Sequence, residues 1–285
     1  MRIAMTGANG FVGTYLSRKF VSEGHEVVRI GREQLNTLDI LEKALYGCDV
    51  VINLAGASIA ERWSEEHKKA MTTSRLKTTD ALINAFAIMK KRPSIFISTS
   101  AIGVYHEGLK HDDKNFTYGM DFLADLARKW EKEALKAKDL GIKTVIFRFG
   151  VVLGEGGGAL SQMLPIFKLG LGGVLGSGNQ AFSWVHIDDL YRAYLFVIEN
   201  PEKEGIYNLT APKPVSNRVM TQTLARVLKK PAFLPVPSFV LKLRFGEGAG
   251  ILLKGQEVYP SRLLDEGFVF NFTDIENAFK SIIYK

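Results

Sequence analysis

Cysteine is almost absent from this chain. Cys48 is the only one among 285 residues, which excludes an intrachain disulfide and is typical of a reducing, intracellular compartment. No apolar run has the length of a membrane span, no run of mixed basic and aromatic residues is typical of a nucleic-acid-binding surface, and no metal-ligand cluster is present. The first predicted strand begins at residue 2, so we expect no signal peptide. The sequence therefore predicts a cytoplasmic protein whose partners include neither a membrane nor a nucleic acid.

The composition is that of an ordinary globular protein, long enough for one large α/β domain with a further small region. Hydrophobic residues make up 46% of the chain and charged residues 24%, close to the averages for globular proteins. The formal net charge of +7 is moderately basic. Such a charge suits ligands that carry phosphate groups.

The opening segment has the pattern of a dinucleotide-binding βαβ unit. Residues 2–6 are predicted to form a buried strand, an amphipathic helix follows until Gly24, and residues 26–30 form a second strand. Between the first strand and the helix lies the run Gly7-Ala8-Asn9-Gly10-Phe11-Val12-Gly13. In such a turn the first glycine permits the tight bend, the second lets the backbone approach a pyrophosphate, and the third allows close packing of helix on strand. The pyrophosphate would lie at the helix N-terminus, where unpaired N–H groups favour an anion.

The end of the second strand indicates which dinucleotide binds. NAD sites usually place an acidic residue there for the ribose 2′-hydroxyl, whereas NADP sites use a nearby arginine. This chain has Gly31 followed by Arg32, and its first acidic residue there is Glu33. A charge-assisted bond from Arg32 to a 2′-phosphate would contribute roughly 1.5–3 kcal/mol, so we expect NADP(H) rather than NAD(H). Arg29 is a poorer candidate because it lies inside the strand, and the alternative for Arg32 is a solvated surface position.

The remaining chain continues the alternation of strands and helices. Residues 49–54 and 94–98 are almost wholly apolar, as expected for parallel strands buried on both faces, and residues 64–90 between them have a helical pattern. Successive βα units predict the fold class α/β with a doubly wound parallel sheet, the Rossmann type. We assign residues 1–230 to this domain and residues 236–285 to a small C-terminal domain, with helices near 239–253 and 274–283.

Four later motifs resemble a known family. They are Asn53-Leu54-Ala55-Gly56, the serine-rich strand end Ser98-Thr99-Ser100, the run Arg148-Phe149-Gly150-Val151, and the segment Phe182-Ser183-Trp184-Val185-His186. Together with the glycine turn they resemble the extended short-chain dehydrogenase/reductase superfamily, which includes nucleotide-sugar epimerases and dehydratases. The tail around Gly255 and Pro260 is similar to the epimerase-like members that carry a small C-terminal domain of unknown function. The resemblance covers nearly the whole chain.

The resemblance implies roles for individual residues. Gly7, Gly10, Phe11 and Gly13 would form the dinucleotide turn, Arg32 would hold the ribose phosphate, and Asp39 and Ile40 would flank the adenine. Leu54, Ala55 and Gly56 would lie along the cofactor, while Ser98, Thr99, Arg148, Phe149, Gly150 and Val151 would approach the nicotinamide. Ser100 matches the catalytic serine or threonine that binds a substrate oxygen. Its alternative role is a hydroxyl that satisfies a strand end.

The chain departs from the superfamily in its general acid. A Tyr-x-x-x-Lys pair usually lies on the helix after the serine-rich strand, where the lysine lowers the pKa of the tyrosine. The only such pair here is Tyr15 with Lys19, which lies on the first helix instead. In the expected region either Tyr118 takes the tyrosine position with Phe122 in place of lysine, or Phe122 takes it with Leu126 in place of lysine. Tyr118 remains a weak catalytic candidate, and the helical spacing of Phe122, Leu126 and Trp130 indicates a packing stripe.

The segment after Gly154 is rich in glycine and apolar residues. We interpret residues 154–180 as a mobile loop over the cleft that could close on a substrate, with a dimer contact or an irregular connection as alternatives. Gln180 and Ser183 are the polar residues expected nearest a substrate. His186 could titrate in a useful range, but a structural hydrogen bond is its more usual role in such a sequence.

Two functions are compatible with these residues. The first is an NADP(H)-dependent, epimerase-like oxidoreductase acting on a small carbonyl or hydroxyl compound, such as a nucleotide sugar. The second is a catalytically silent NADP(H)-binding sensor of the cell's redox state. The missing lysine favours the second function, whereas Ser100 and the residues on the nicotinamide side favour the first. The resemblance also implies a homodimer through the long helices near 64–90 and 119–139.

Overall fold

Six parallel strands form the central sheet of this protein, whose computed structural model describes residues 1–284. Buried β-branched and apolar side chains dominate them, as expected for strands covered on both faces. The strands are β1 (Arg2–Thr6), β2 (Glu26–Ile30), β3 (Val50–Asn53), β4 (Ile95–Ala101), β5 (Lys143–Phe149) and β6 (Gly205–Leu209). Their order is β6-β5-β4-β3-β1-β2. The doubly wound fold is confirmed.

The direction of winding reverses beside β1. This strand pairs with β2 on one side and with β3 on the other, and Thr6 lies opposite both Ile30 and Asn53. A crevice therefore opens at the carboxyl ends of β1 and β3, where open α/β sheets bind their ligands. The glycine turn begins at Gly7, directly at this crevice.

Twelve α-helices are described within residues 1–284, and most of them cover the two faces of the sheet. Leu16 and Phe20 of the first helix pack with Leu190 and Tyr194 of the seventh on one face. The third, fourth and fifth helices cover the other face. The helices are α1 (Phe11–Ser22), α2 (Arg32–Leu35), α3 (Leu38–Leu45), α4 (Glu65–Ile88), α5 (Phe122–Leu135), α6 (Gly158–Lys168), α7 (Ile187–Glu199), α8 (Asn217–Leu228), α9 (Ser238–Phe245), α10 (Gly250–Leu253), α11 (Ser261–Asp265) and α12 (Ile275–Ile283).

Short polar side chains cap the first turns of several of these helices. The Ser64 hydroxyl accepts a hydrogen bond from the His67 backbone N–H at the start of α4, and Ser216 caps α8 in the same way. Asp274 accepts two backbone N–H groups at the start of α12. Such caps satisfy N–H groups that the helix itself leaves unpaired. The predicted helix near 239–253 is interrupted, because Gly246 at φ +60° separates α9 from a 3₁₀ turn and α10.

The glycine-rich segment after Gly154 is more ordered than the predicted mobile loop. Residues 158–168 form α6, in which Leu160 and Phe167 are buried. A Cβ atom on Gly157 would lie 2.2 Å from the Phe11 ring, so the glycines allow this segment to pack on the start of α1. The interpretation as an irregular loop with few contacts is therefore wrong for residues 158–168. The close contact with Phe11 explains why residue 157 is a glycine.

The C-terminal segment pairs with and hydrogen-bonds to the domain before it. The short strand Glu257–Val258 pairs in parallel with Lys110–His111. Asp113, in the loop after this pairing, accepts hydrogen bonds from the Arg262 backbone N–H at 2.9 Å and the Asn208 backbone N–H at 2.6 Å. Burial raises the pKa of Asp113, although these N–H donors oppose the rise. The C-terminal residues thus form one wall at the carboxyl edge of the sheet.

Among residues 1–284, no helix combines the length and the apolar character needed to cross a membrane.

Candidate functional site

The glycine turn has a shape that only glycine side chains permit. Gly7 has φ +66°, and a Cβ atom there would lie 2.7 Å from the carbonyl carbon of Leu54. A Cβ atom on Gly13 would lie 2.2 Å from the carbonyl oxygen of Gly7. Gly10 donates its backbone N–H to the same oxygen at 3.0 Å. The turn is therefore packed backbone against backbone, with Ala8 buried beneath it.

The N-terminus of α1 is open to a ligand. Its N-cap is Gly10, no side chain caps it, and its first turn contains no acidic residue. The free N–H groups and the helix dipole favour an anion at this position. A cavity of about 320 Å³ adjoins this end of the helix, lined by Asn9, Gly10, Phe11, Thr14, Tyr15, Arg18, Glu155 and Gly156.

The strand ends beside the turn also fit a dinucleotide. The Thr6 hydroxyl donates to Asn53 at 2.7 Å and accepts the Ala55 backbone N–H at 3.3 Å, which fixes the backbone before Gly56. The Ser98 hydroxyl is buried in the middle of β4, opposite Asn53 at the end of β3, and it has no hydrogen-bond partner within residues 1–284. A buried polar atom without a partner is costly unless a ligand or water satisfies it. The cradle and the orphaned hydroxyl together fit a nicotinamide dinucleotide, which supplies hydride transfer when bound.

Two arginines, Arg29 and Arg32, lie in and directly after β2, where the family resemblance places the adenosine of the cofactor. Arg32 is exposed at the start of α2 and forms no ion pair with any described residue. Arg29 donates from Nη1 to the Asn9 side chain at 3.4 Å, so its guanidinium reaches the glycine turn. Arg29 was predicted to be the poorer candidate because it lies inside a strand. That strand, β2, is at the edge of the sheet, where the side chain is free to turn toward the crevice. Asp39 and Ile40 lie exposed in the first turn of α3.

A closed polar network occupies the carboxyl ends of β4 and β5. Ser100 lies opposite Arg148 in the strand register. Its hydroxyl donates to Glu131 Oε1 at 2.6 Å. Arg148 donates to the same carboxylate from Nε at 2.7 Å and Nη2 at 2.6 Å, and from Nη1 to the Tyr105 hydroxyl at 2.8 Å. Tyr105 then donates to the Asn208 side chain at 2.6 Å. We call these five residues the Ser100 network.

Burial and charge pairing hold the Ser100 network in one protonation state. Burial alone lowers the pKa of Arg148, but the hydrogen bonds and negative charge of Glu131 outweigh that effect and raise it. Burial raises the pKa of Tyr105 to about 12, despite the opposing charge of Arg148. Arg148 therefore stays cationic and Tyr105 stays protonated near neutral pH. In this structure the side chains of Ser100 and Arg148 bind other protein groups, and neither is presented to a ligand.

Tyr118 is the tyrosine whose ring remains accessible at this edge. It is 39% exposed. Its ring lies 5.7 Å from the Arg128 guanidinium and 5.8 Å from that of Arg148. The Tyr118 hydroxyl makes no hydrogen bond with the described residues. Phe122 contacts the Trp63 ring, with centroids 5.6 Å apart.

The helix that usually carries the tyrosine–lysine pair is here a packing element. Leu126 and Trp130 are buried in α5, which agrees with the predicted packing stripe. Glu131 on this helix was not among the predicted site residues. A signal was present, because the buried positions Ala124, Ala127, Glu131 and Ala134 recur at helical spacing. A carboxylate on that face needs a buried cation as partner, and Arg148 is that cation.

The two residues predicted nearest a substrate, Gln180 and Ser183, have structural partners. Gln180 donates to the carbonyl oxygens of Leu175 and Leu252, and its Oε1 is buried without a partner within residues 1–284. Ser183 donates to the Gln256 carbonyl at 2.8 Å and accepts the Val258 N–H at 3.0 Å, which attaches the C-terminal segment. Phe149, Gly150 and Val151 leave β5 beside it; a Cβ atom on Gly150 would lie 2.7 Å from the Ser183 carbonyl oxygen.

His186 has the structural role that its sequence context favoured. It is buried, its Nδ1 accepts the Asp188 N–H at the start of α7, and its Nε2 lies 3.1 Å from the Ser281 hydroxyl. Its ring stacks on Phe272 with centroids 3.8 Å apart. Because Ser281 is in α12, this contact joins α12 to the start of α7.

Comparison with protein families decides the relationship. Residues 3–210 match the NAD dependent epimerase/dehydratase family, and residues 236–282 match a domain of unknown function, DUF1731. The chain belongs to the NAD-dependent epimerase/dehydratase family. The predicted resemblance to epimerase-like proteins with a small C-terminal domain is confirmed.

Individual relatives match over their full lengths. The chain is 38% identical to the mouse epimerase family protein SDR39U1, covering 99% of this chain and 100% of the relative. It is 37% identical to the epimerase family protein YfhF of Bacillus subtilis, covering 99% and 98%. The human SDR39U1 structure (isoform 2), which was crystallised with NADPH, superposes with a TM-score of 0.93 at 35% identity and covers 100% of both chains. A UDP-glucose 4-epimerase from Thermotoga maritima shares the fold, with a TM-score of 0.79 at 17% identity and coverage of 100% and 98%.

Proposed function

We propose that this chain binds NADP(H) and is an oxidoreductase acting on a small carbonyl or hydroxyl compound. The observation that carries the proposal is the open crevice at β1 and β3, with its glycine turn, its uncapped helix and the arginines Arg29 and Arg32. The related human structure was crystallised with NADPH, in agreement with the expectation of NADP(H) rather than NAD(H). A nucleotide sugar is one candidate substrate class.

Tyr118 is the proton donor that fits the accessible geometry. A general acid must reach the reacting oxygen. Tyr118 is 39% exposed, and its ring lies 5.8 Å from the guanidinium of Arg148, which is at the carboxyl end of β5. The Ser98 hydroxyl, buried and unpartnered within residues 1–284, would bind the cofactor or a substrate oxygen beside it. Ser100 would act through Glu131 by fixing the strand ends. In this account the protein orients its ligands and supplies one proton, while the hydride belongs to the cofactor.

A second function is supported by the same network. Because the Ser100 hydroxyl is committed to Glu131 and no lysine takes the usual place on α5, the chain would bind NADP(H) without turnover and act as a redox sensor. Both functions require cofactor binding, and they differ in whether Tyr118 transfers a proton. We also propose a cytoplasmic location, because the single cysteine, Cys48, is buried and unpaired.

The deciding experiment follows NADPH consumption over a panel of aldehydes, ketones, quinones and keto-sugars. Tyr118→Phe is compared with wild type, and Tyr46→Phe is the matched control because Tyr46 is 63% exposed after α3. The oxidoreductase predicts turnover that falls by roughly a hundredfold or more in Tyr118→Phe alone, the scale of a lost acid–base contact. Tight NADPH binding without any turnover supports the sensor. Failure to bind either nucleotide contradicts both.

A further inference from the structure

Arg75 in α4 is a partly enclosed cation without a carboxylate partner. No described acidic residue forms an ion pair with it, and its Nη1 donates to the carbonyl oxygens of Met71 at 3.1 Å and Ala57 at 3.2 Å. Neither Nε nor Nη2 has a hydrogen-bond partner within residues 1–284. Those two nitrogens form the edge of a guanidinium that binds a carboxylate or phosphate through two parallel hydrogen bonds.

The surroundings hold this guanidinium in a fixed plane. It lies against the backbone of Gly56, where a Cβ atom would come within 2.8 Å of Cζ. On another side lies the Trp130 ring, with its centroid 5.3 Å from Cζ. Trp130 is itself fixed by a hydrogen bond from Nε1 to the Thr79 hydroxyl at 2.9 Å. A side chain ordered in this way loses little entropy when it binds a ligand.

Arg75 lies at the crevice that the cofactor site occupies. The Thr79 hydroxyl accepts from Asn53, the last residue of β3, at 2.9 Å. Arg75 precedes Thr79 by one helical turn, about 6 Å along the axis. Since α4 begins at the carboxyl edge of the sheet, this turn lies farther toward that edge than Thr79 does. Its guanidinium is therefore beyond the strand ends and beside Gly56, the residue that the family resemblance places along the cofactor.

Burial without a counter-charge makes this cation costly. Burial lowers the pKa of Arg75 to about 10, and no acidic group opposes the effect. The side chain stays cationic at neutral pH, so its desolvation is compensated only by neutral carbonyls and the face of an indole. A bound oxyanion would supply the missing charge and both missing acceptors.

We propose that the Nε–Nη2 edge of Arg75 binds an oxyanion, a phosphate or a carboxylate, at the carboxyl end of β3. The oxyanion has two possible sources: a phosphate of the dinucleotide, or an acidic group on the substrate. The first source rests on the proposed function, because it requires NADP(H) in the crevice. The second predicts a substrate that carries a carboxylate or phosphate.

The test compares Arg75→Met and Arg75→Lys with wild type. Arg92→Met is the matched control, because Arg92 also donates to backbone carbonyls, of Phe86 at 3.0 Å and Leu140 at 2.9 Å, but follows the other end of α4. The affinity for NADPH is measured by calorimetric titration. Binding of inorganic phosphate and of oxalate, to the free and the NADP⁺-saturated protein, is measured by the shift in melting temperature.

Each source predicts a different pattern. If the oxyanion belongs to the cofactor, Arg75→Met weakens NADPH binding by roughly ten- to hundredfold, the worth of a charge-assisted bidentate contact. If it belongs to the substrate, NADPH affinity changes less than about twofold, while phosphate or oxalate stabilises wild type and Arg92→Met but not Arg75→Met. Arg75→Lys, which keeps the charge but lacks the paired donors, should give an intermediate loss in whichever arm responds, and it replaces Arg75→Met if that variant does not fold.

A third pattern of binding would contradict both sources of the oxyanion. If both Arg75 variants bind NADPH, phosphate and oxalate as Arg92→Met does, the proposal is overturned. If wild type does not bind NADPH at all, the proposed function fails, and stabilisation of the free protein by phosphate or oxalate still decides the role of Arg75.

Discussion

The glycine turn and the Ser100 network lie at the same edge of one sheet, yet they treat their polar groups in opposite ways. At the turn the helix N–H groups are uncapped and Arg32 has no partner among the described residues. In the Ser100 network every side chain has a close partner, and Arg148 is almost completely buried. Open donors indicate a place for a ligand, whereas closed ones indicate a place where the protein stabilises itself. The glycine turn thus offers open donors to a ligand, whereas the Ser100 hydroxyl is hydrogen-bonded to Glu131 inside the core.

The largest effect on NADPH binding is expected from closing the open region. Gly13→Ala places a methyl group 2.2 Å from the Gly7 carbonyl oxygen and 2.7 Å from the Ala8 Cα, and these backbone atoms cannot give way as a flexible side chain would. We expect NADPH affinity to fall by roughly a hundredfold or more, about 3 kcal/mol. Gly250→Ala is the control, since its methyl group would meet only Lys254 at 3.6 Å. Equal NADPH affinity in both variants would show that the turn is not the binding site.

The largest effect on stability is expected from opening the closed region. Glu131→Ala leaves Arg148 buried without its counter-ion, and such a loss costs about 3–5 kcal/mol of unfolding free energy. Asp125→Asn removes the exposed pair with Lys129, whose side chains are 48% and 60% exposed, and should cost at most about 1 kcal/mol. Urea unfolding of the two variants measures the contrast. A similar small loss in both would mean that the Ser100 network does not stabilise the fold.

Removing Arg32 sharpens the assignment of the open region to NADP(H). Arg32→Gln should weaken NADPH binding by roughly ten- to hundredfold and leave NADH binding almost unchanged, because only NADPH carries the 2′-phosphate. Arg29→Gln, measured alongside, shows how much the second arginine shares the role. Equal losses for NADPH and NADH in Arg32→Gln would assign this residue to packing.

Ser100→Ala separates a structural serine from a catalytic one. Loss of the 2.6 Å hydrogen bond to the buried Glu131 carboxylate should lower the unfolding free energy by about 1–3 kcal/mol. Turnover on any substrate found should fall less than about tenfold, well below the loss expected for a catalytic hydroxyl. A hundredfold loss of turnover with unchanged stability would restore Ser100 to the reaction.

The smallest effect concerns pH. Because burial raises the pKa of Tyr105 from 10.0 to about 12, the folded state holds the phenolic proton more tightly than the unfolded chain does. Its contribution is complete below about pH 10 and is lost as the pH rises toward about 12. Tyr105→Phe should therefore show a smaller fall in unfolding free energy over that interval, by up to about 2 kcal/mol. Parallel curves for variant and wild type would contradict the raised pKa.

The part of the molecule governed by local pattern was predictable from the sequence. The strands around Ile3 and Val51, the glycine turn and the helix that begins near Ser64 follow from periodicity, spacing and side-chain chemistry. The partner of Ser100 was not, because Glu131 meets it only after α5 packs on the sheet. The free edge of Arg75 depends in the same way on Gly56 and Trp130. Dimerisation through α4 and α5 stays a prediction.

Equilibrium titration of the purified protein with NADPH and with NADH tests the account most directly. The open crevice with Arg32 and Arg29 at its adenosine end predicts one bound NADPH per chain, with an affinity at least about tenfold above that for NADH. A preference for NADH, or no binding of either nucleotide, would contradict the central claim.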